Sequence, residues 1–328
     1  MKILLARYHN VIDDIAITLK NLGHEVTICV NTDVVDHNGN SLDILNNLQI
    51  KYKNQFNVVR LNQACVLLKQ KKYDLLGCDG YYSGDSLLID ICKSQKIPHF
   101  CILGYPGRLD SPSNNILSFG FFLPFTQYWN CYPTEGHRKE LDWKNISQNG
   151  KSDQKNICVF YPNFTELKQN LIETKEKNDL FVSGIHRYEE CNKYCYEVFK
   201  QVSKELNCKN FESRPQEEFL STLKSSKGLL MLKHGDMPGI SLIQAMLLSK
   251  PVFTMKSYVL ASMNQEVLID GFNAVVADTV PELIDRMKNI TDQELYRLGN
   301  NAFLHAEMLT RFERQKNKLE TFIQNCLK

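Results

Sequence analysis

The sequence predicts two doubly wound α/β domains with a cleft between them. Two observations carry this reading. Short, continuous apolar runs alternate with segments of helical period, and the alternation starts afresh after a long polar gap. Apolar runs bounded by polar turns are the signature of strands covered on both faces, and helical connections between them imply parallel pairing. The length of 328 residues agrees with this, since domains commonly take roughly 100–200 residues each.

The elements run in order along the chain. Ile3-Leu4-Leu5-Ala6 reads as a buried strand, and Arg7-Tyr8-His9-Asn10 as a polar turn. Val11 to Leu22 is helical, with Ile12, Ile15, Ala16 and Leu19 on one face, and Gly23 stops it. Val26-Thr27-Ile28-Cys29-Val30 is a β-branched second strand. Leu61 to Lys71 is helical, Tyr73 to Cys78 strand-like, Ser86 to Ser94 helical, and Pro98 to Leu103 a strand. From Gly104 to Tyr132, Pro, Gly, Ser, Asn and aromatics predict loops at the end of a sheet, where open α/β folds hold their ligands. Residues 134–155 are polar and take no assignment.

A second alternation opens with the strand Asn156 to Phe160. Asp179 to Gly184 is a strand ending in a Gly turn, Cys191 to Leu206 a helix, and Gly228 to Leu232 a buried strand. Ser241 to Leu248 is a helix, Pro251 to Thr254 a strand, and Pro281–Lys288 and Asp292–Lys328 are helical.

Composition excludes several classes. At 43% hydrophobic and 23% charged the chain is not disordered. Lys+Arg is 39 against 37 Asp+Glu, so no global field favours nucleic acid, and no nucleic-acid partner is expected. The eleven cysteines form no Cys-x-x-Cys pair, and Cys191 and Cys195 lack a second pair to complete a zinc set. Free thiols in a reduced compartment are expected. The segment Met1 to Arg7 turns charged too early for a signal peptide, and no run approaches the roughly 18 apolar residues of a membrane span. A cytoplasmic chain without a transmembrane segment is the expectation. The sequons at Asn145, Asn163 and Asn289 are then chance matches.

The most informative stretch is Lys233-His234-Gly235-Asp236-Met237-Pro238-Gly239-Ile240-Ser241-Leu242-Ile243-Gln244-Ala245-Met246, and after it Ser249-Lys250-Pro251-Val252. A buried strand ends at Leu232, a Gly/Pro loop comes next, and a helix begins near Gly239. Free N–H groups at a helix start attract phosphate or sugar oxygens. Asp236 lies in the loop. Gln244 stands eight residues on, about two turns into the helix. The two polar groups are placed to grip different parts of one elongated ligand.

This stretch resembles the donor-binding signature of GT-B fold glycosyltransferases of the family-4 type, in which two Glu eight residues apart bracket a Gly-rich stretch. Asp236 stands at the first Glu and Gln244 at the second. Gly239-Ile240-Ser241 covers the middle, and Ala245-Met246 and Lys250-Pro251-Val252 match the family's Glu-Ala-Met and Gly-x-Pro-Val. Ile269 to Val276 resembles the family's Asp-Gly-x-Asn-Gly-x-x-Val stretch. Pro281-Glu282-Leu283 and Leu298-Gly299-Asn300-Asn301-Ala302 are similar to its terminal helices, and Pro162-Asn163 to its hinge. Val182-Ser183-Gly184 with Arg187 and Lys193 looks like its donor-phosphate element, and Gly23-His24-Glu25-Val26 like the approach to its second strand.

The resemblance implies two Rossmann-like domains, an acceptor-side domain over 1–163 and a nucleotide-sugar domain over 164–310. A terminal helix over 311–328 would return to the first. It also implies transfer of a sugar from a nucleotide-diphosphate donor, with retention, to a glycan, lipid-linked or small-molecule acceptor. Asp236 would contact the sugar hydroxyls and Gln244 the ribose. Arg187 and Lys193 would neutralise the diphosphate. Gly184, Lys233, His234, Gly235, Pro238, Gly239, Ile240 and Ser241 complete the donor set. The implied acceptor side includes His9, Asn10, Asp13 and Tyr105. Asp-x-Asp occurs nowhere, and neither metal nor cofactor is expected.

The residues also support plainer readings. Asp236 reads equally as a helix cap, Gln244 as a solvated helix residue, and Arg187 as a surface partner of Glu189 or Glu190. Asp13 or Asp14 suits an acceptor base or a helix start. Tyr81, Tyr82, Tyr105, Phe119, Phe121, Phe122 and Trp129 suit an acceptor groove or a core. The rival functions are a nucleotide-sugar epimerase on the same fold, a non-catalytic nucleotide-sugar or glycan-binding protein, and a sugar transferase acting on DNA bases. Peripheral membrane attachment remains open for a lipid-linked acceptor.

Overall fold

The computed structural model describes residues 1–7, 12–30, 55–78, 83–103, 113–119, 156–161, 179–184, 193–211, 216–232, 240–261 and 267–328. They fall into two units. The first takes in Met1–Phe119, Lys151–Asn163 and Phe312–Lys328, and the second includes Phe164–Arg311.

The first unit runs β1 (Lys2–Arg7), α1 (Ile12–Asn21), β2 (Glu25–Val30), β3 (Asn57–Arg60), α2 (Leu61–Lys69), β4 (Leu75–Cys78), α3 (Ser83–Gln95), β5 (His99–Leu103), β6 (Asn115–Phe119) and β7 (Asn156–Phe160). The second runs β8 (Phe181–Ser183), α4 (Lys193–Glu205), β9 (Cys208–Asn210), α5 (Gln216–Ser225), β10 (Gly228–Leu230), α6 (Ile240–Leu247), β11 (Val252–Met255), α7 (Lys256–Ala261), β12 (Ala274–Ala277), α8 (Val280–Asn289) and α9 (Asp292–Leu309). The chain then forms α10 (Phe312–Cys326) in the first unit. The sheet orders are β3-β2-β1-β4-β5-β6-β7 and β12-β11-β10-β8-β9. Every strand pair in both is parallel.

The apolar run of β1 shows why the sheet is covered on both sides. Ile3 and Leu5 pack with Ile15, Ala16 and Leu19 of α1 and with Leu319, Phe322 and Ile323 of α10. Leu4 and Ala6 face the other way, onto Ala64, Cys65 and Leu68 of α2 and Leu88 and Cys92 of α3. Gly23 ends α1 with φ +82°, the left-handed geometry expected of a glycine stop. In the second unit Phe181, Leu230, Phe253 and Val275 pack on Val198, Phe199 and Val202 of α4 and Leu283 and Met287 of α8.

Three sequence expectations need correction. The stretch 104–132 was expected to be loop throughout, yet β6 lies within it and pairs on both sides, with β5 and β7. Ile116 and Leu117 are fully buried there. Ser113 and Asn115 anchor its start by donating to the His99 carbonyl at 2.7 and 3.1 Å. The strand 156–160 opens no second sheet: as β7 it pairs in parallel with β6 in the first. The helix carrying Gln244 begins at Ile240, so Gln244 is its fifth residue, little more than one turn in.

Three groups pin α10 to β7 and the residue after it. Gln315, fully buried, accepts the Tyr161 N–H at 3.0 Å. Asn156 donates to the Phe322 carbonyl at 3.2 Å, and the Cys158 thiol to the Lys318 carbonyl. Phe322 meets Phe100 edge-on at 5.4 Å between centroids. Burying Leu319, Phe322 and Ile323 stabilises this packing by about 1.5–3 kcal/mol per side chain.

Candidate functional site

Each sheet reverses its strand order once. In the first, β1 lies between β2 and β4; in the second, β8 lies between β9 and β10. At such a point successive connections leave towards opposite faces, and the carboxyl ends of the strands border a crevice suited to ligands.

In the second unit the strands flanking that point end at Ser183 and Leu230. Gly184 comes directly after Ser183. Beyond β10, Met231 and Leu232 stay buried, and α6 begins at Ile240. Thr254 of β11 donates to the Met231 carbonyl at 2.6 Å, tying β11 to the end of this path. The first turn of α6 contains no acidic residue, so its free N–H groups and the positive end of its dipole are not offset from within the helix.

Gln244 is 3% exposed, which overturns its reading as a solvated helix residue. The Ser183 hydroxyl is buried without a partner among the described residues. A buried polar group left without a partner costs about 1–3 kcal/mol, so the Ser183 hydroxyl calls for an explanation other than packing.

Gly184 separates from the glycines that the fold demands. A Cβ at Gly228 would stand 2.5 Å from the Pro251 carbonyl oxygen, and one at Gly77 2.3 Å from the Phe100 ring. Among the described residues, a Cβ at Gly184 would meet nothing nearer than the Phe211 oxygen at 3.9 Å. Its backbone is not in the left-handed region either. The described residues therefore leave room for a side chain at 184.

Of the other sequence-predicted residues, Ser241 is half-buried as the second residue of α6, Lys193 opens α4, and Asp13 lies in α1. Arg187, Lys233, His234, Gly235, Asp236, Pro238, Gly239, His9, Asn10 and Tyr105 lie outside the described residues. So do the side chains of Tyr81, Tyr82, Phe119, Phe121, Phe122 and Trp129. The structure thus brings Ser183 and Gly184 to one side of the second sheet's reversal and places Gln244 in the helix after β10 on the other.

Two residues were given no role of their own in the sequence reading. Ser183 lies in the stretch that resembles the donor-phosphate element, but its own signal is only a polar residue closing an apolar strand. Asp85, the third residue of α3, is only 6% exposed. Burial pushes the Cys29 thiol up to about 12, and the Asp85 charge adds to that push. A hydrogen bond with the Cys101 thiol, then burial, hold Cys78 well above its ordinary value, again with Asp85 contributing. An acid in the first turn of a helix is expected for dipole reasons, which hid this one among ordinary helix starts.

The segment resembling Asp-Gly-x-Asn is built as a tight turn. Asp270 accepts the Val276 N–H at 2.8 Å and pairs with Arg286 at 2.7 Å. Gly271 has φ +70°. Asn273 is fully buried. Among the described residues no three His, Cys, Asp or Glu side chains gather as a metal site, and no helix is long and apolar enough to cross a membrane.

No family model matches the chain, and no curated protein matches it. Solved structures do. The chain is similar to a glycosyltransferase from Rickettsia africae, with 10% identity, a TM-score of 0.63, and 100% of this chain and 98% of that one covered. It is similar to HepE from Anabaena, solved in complex with UDP, with 12% identity, a TM-score of 0.62, and 99% and 100% covered. It is also similar to a putative UDP-N-acetylglucosamine 2-epimerase from Listeria monocytogenes, with 8% identity, a TM-score of 0.53, and 99% and 97% covered. At these identities the likeness is one of fold, and it runs over nearly the whole of each chain. The chain has the GT-B fold.

Proposed function

We propose that the chain is a glycosyltransferase that moves a sugar, in the manner of a hexosyltransferase, from a nucleotide-diphosphate donor held by its second unit. The observation that carries this reading is the convergence at the reversal of the second sheet. Ser183 presents a buried hydroxyl, Gly184 leaves open space, and the neighbouring strand leads to a helix start with a buried amide beyond it. Hydroxyl-rich and anionic groups would satisfy all of these at once.

In this reading the N–H groups of α6 face the diphosphate, and Gln244 reaches the ribose, its amide able both to donate and to accept. Asp236 takes the sugar hydroxyls. Departure of the diphosphate develops negative charge, which Arg187, Lys193 and the helix dipole stabilise without a metal. Lys233, His234, Gly235, Pro238, Gly239, Ile240 and Ser241 line the donor. His9, Asn10, Asp13 and Tyr105 are acceptor-side residues of the first unit. The reaction proceeds with retention on a glycan, lipid-linked or small-molecule acceptor, in the cytoplasm.

A thermal-shift screen with nucleoside diphosphates and nucleotide sugars, run without metal, tests the donor site, because a ligand that binds only the folded state must raise its stability. One donor should raise the midpoint. Gly184→Ala should leave the ligand-free midpoint unchanged and abolish the shift, as should Asp236→Ala. A folded protein that responds to no donor would refute the reading. A donor shift with no turnover on any acceptor would leave a binding protein. Interconversion of sugar epimers without an acceptor would identify an epimerase, the activity named for the Listeria structure.

A further inference from the structure

Asn273 anchors the turn that leads into β12, and its surroundings fix which way its amide points. Its Oδ1 faces the Ile269 N–H at 2.8 Å, and its Nδ2 faces the Val267 carbonyl at 2.8 Å. A backbone N–H only donates and a carbonyl only accepts, so the amide has one orientation. One N–H of Nδ2 remains, and it points at Nδ1 of His305 on α9, 2.9 Å away. That nitrogen must accept. His305 is therefore neutral, with its proton on Nε2, and protonation at Nδ1 would set two donors against each other. The Phe272 ring packs edge-on against the imidazole at 6.4 Å.

Other contacts hold the turn to the same helix. Arg297 donates to the Gly271 carbonyl at 2.8 Å and Asn301 to the Phe272 carbonyl at 2.9 Å. Only the His305 contact titrates near neutrality. Among the described residues the charged groups on the packed elements are these. Asp270 of the turn is engaged by Arg286 and the Val276 N–H. Asp292 and Glu294 in the first turn of α9, Arg297, and Glu307 share that helix with His305, and α6, which packs along α9, carries no charged residue. Burial lowers the His305 pKa from its ordinary value.

The geometry points to the Val267–Asn273 turn being an acid-released latch, held shut by His305 only while that imidazole is neutral. The lowered value in the closed turn means that protons favour the open one. Release therefore sets in as the pH falls through about 6.5, the ordinary imidazole value.

Two measurements test this. Imidazole ¹H–¹⁵N correlation spectra at pH 7.5 should show His305 bare at Nδ1 and protonated at Nε2; a proton on Nδ1 overturns the latch. Amide hydrogen exchange at Ile269, corrected for intrinsic rate, should show protection falling between pH 7.5 and 5.0. The ceiling is about thirtyfold, the protonated-to-neutral ratio of an ordinary imidazole at pH 5.0, and a fall of at least about threefold is expected. His305→Gln keeps an accepting oxygen that does not titrate, and should hold its protection at both pH values. His305→Phe keeps the packing against Phe272 without an acceptor, and should be poorly protected at both. Equal pH dependence in the wild type and His305→Gln overturns the proposal.

Discussion

Replacing Gly299 with alanine should destabilise the second unit, although alanine is the better helix former. Gly299 lies inside α9, where the substitution by itself would gain about 1 kcal/mol. Its Cβ, however, would stand 2.1 Å from the Ser249 carbonyl oxygen and 3.0 Å from the carbonyl carbon. Ordinary carbon–oxygen contact is about 3.3 Å, so something must move by more than about 1 Å. The obstacle is backbone, and it is held. Ser249 donates to the Met246 carbonyl and Lys250 to the Ala245 carbonyl, each at 2.9 Å, and the Pro251 carbonyl accepts the Leu229 N–H at 3.0 Å. Ser249 is already left-handed at φ +57°. Overpacking of this kind costs about 1–3 kcal/mol, here at the upper end because no flexible side chain can absorb it. The net loss is about 2 kcal/mol, or about 1 M in urea midpoint for an m-value near 2 kcal/mol/M. Urea unfolding monitored by circular dichroism reads this, with Asn300→Ala on the exposed face of the same helix as a control expected to lose nothing. A Gly299→Ala midpoint at or above wild type would refute the argument that α9 is locked against this turn.

The first unit offers a matching test: Gln315→Leu keeps volume but strands the buried Tyr161 N–H, and should cost about 1–3 kcal/mol in chemical unfolding. Thiol titration should be slow. Of the eleven cysteines, nine are described and free, and eight of those are buried. Burial pushes Cys29, Cys92, Cys208 and Cys326 up to about 12 and Cys158 to about 11. At pH 8 a thiol of pKa 12 is about one part in ten thousand thiolate, so no more than two groups should react quickly before unfolding; more would show that the cores open readily. For Asp270, burial alone would raise the carboxyl, but hydrogen bonds from Arg286 and the Val276 N–H, with the Arg286 charge, outweigh it and leave the pKa lowered. This pairing is intact above the carboxyl's ordinary value near 4 and is lost as the pH falls below that. Arg286→Ala should flatten or invert the acid limb of unfolding midpoints between pH 5 and 3, and an unchanged limb would count against the pairing.

Continuous apolar runs were enough to read both sheets as parallel, because β1, β4, β8, β10 and β11 are buried on two faces and the polar positions within these runs, Ser183 and Thr254, are buried as well. The strands that escaped notice are those whose burial is partial or whose flanks are rich in turn formers. Edge strands β3 and β9 keep exposed and half-exposed residues. The buried pair Ile116-Leu117 of β6 sits among Ser and Asn that look like loop but serve as its anchors. The motif residues divide along physical lines. Asp270, Gly271, Asn273 and Gly299 each meet a demand of the fold: an ion pair, a left-handed turn, a buried amide and a close helix approach. Among the described residues Gly184 and Gln244 meet no such demand: a Cβ at 184 would touch nothing closely, and the Gln244 side chain is buried. Gln244 could be read from the sequence as a donor contact or as a solvated helix residue, because α6 is short and a polar residue in a short apolar helix does not reveal which face it occupies.

The last helix has a consequence for how the protein comes into being. Strands Lys2–Arg7 and Glu25–Val30 leave the ribosome before the second unit, yet the helix that packs on Ile3, Leu5 and Phe100 is made only after the whole of that unit. At about 5–20 residues per second, translating the roughly 150 intervening residues takes on the order of 10–30 s. Throughout that interval α1 alone covers this face of the nascent first sheet, and the apolar side chains that α10 will bury, Phe100 among them, are open to chaperones or to neighbouring chains. A fragment ending near Asn163 would keep that part of the face uncovered permanently, so its yield in cells should depend on chaperone supply far more than that of the full chain.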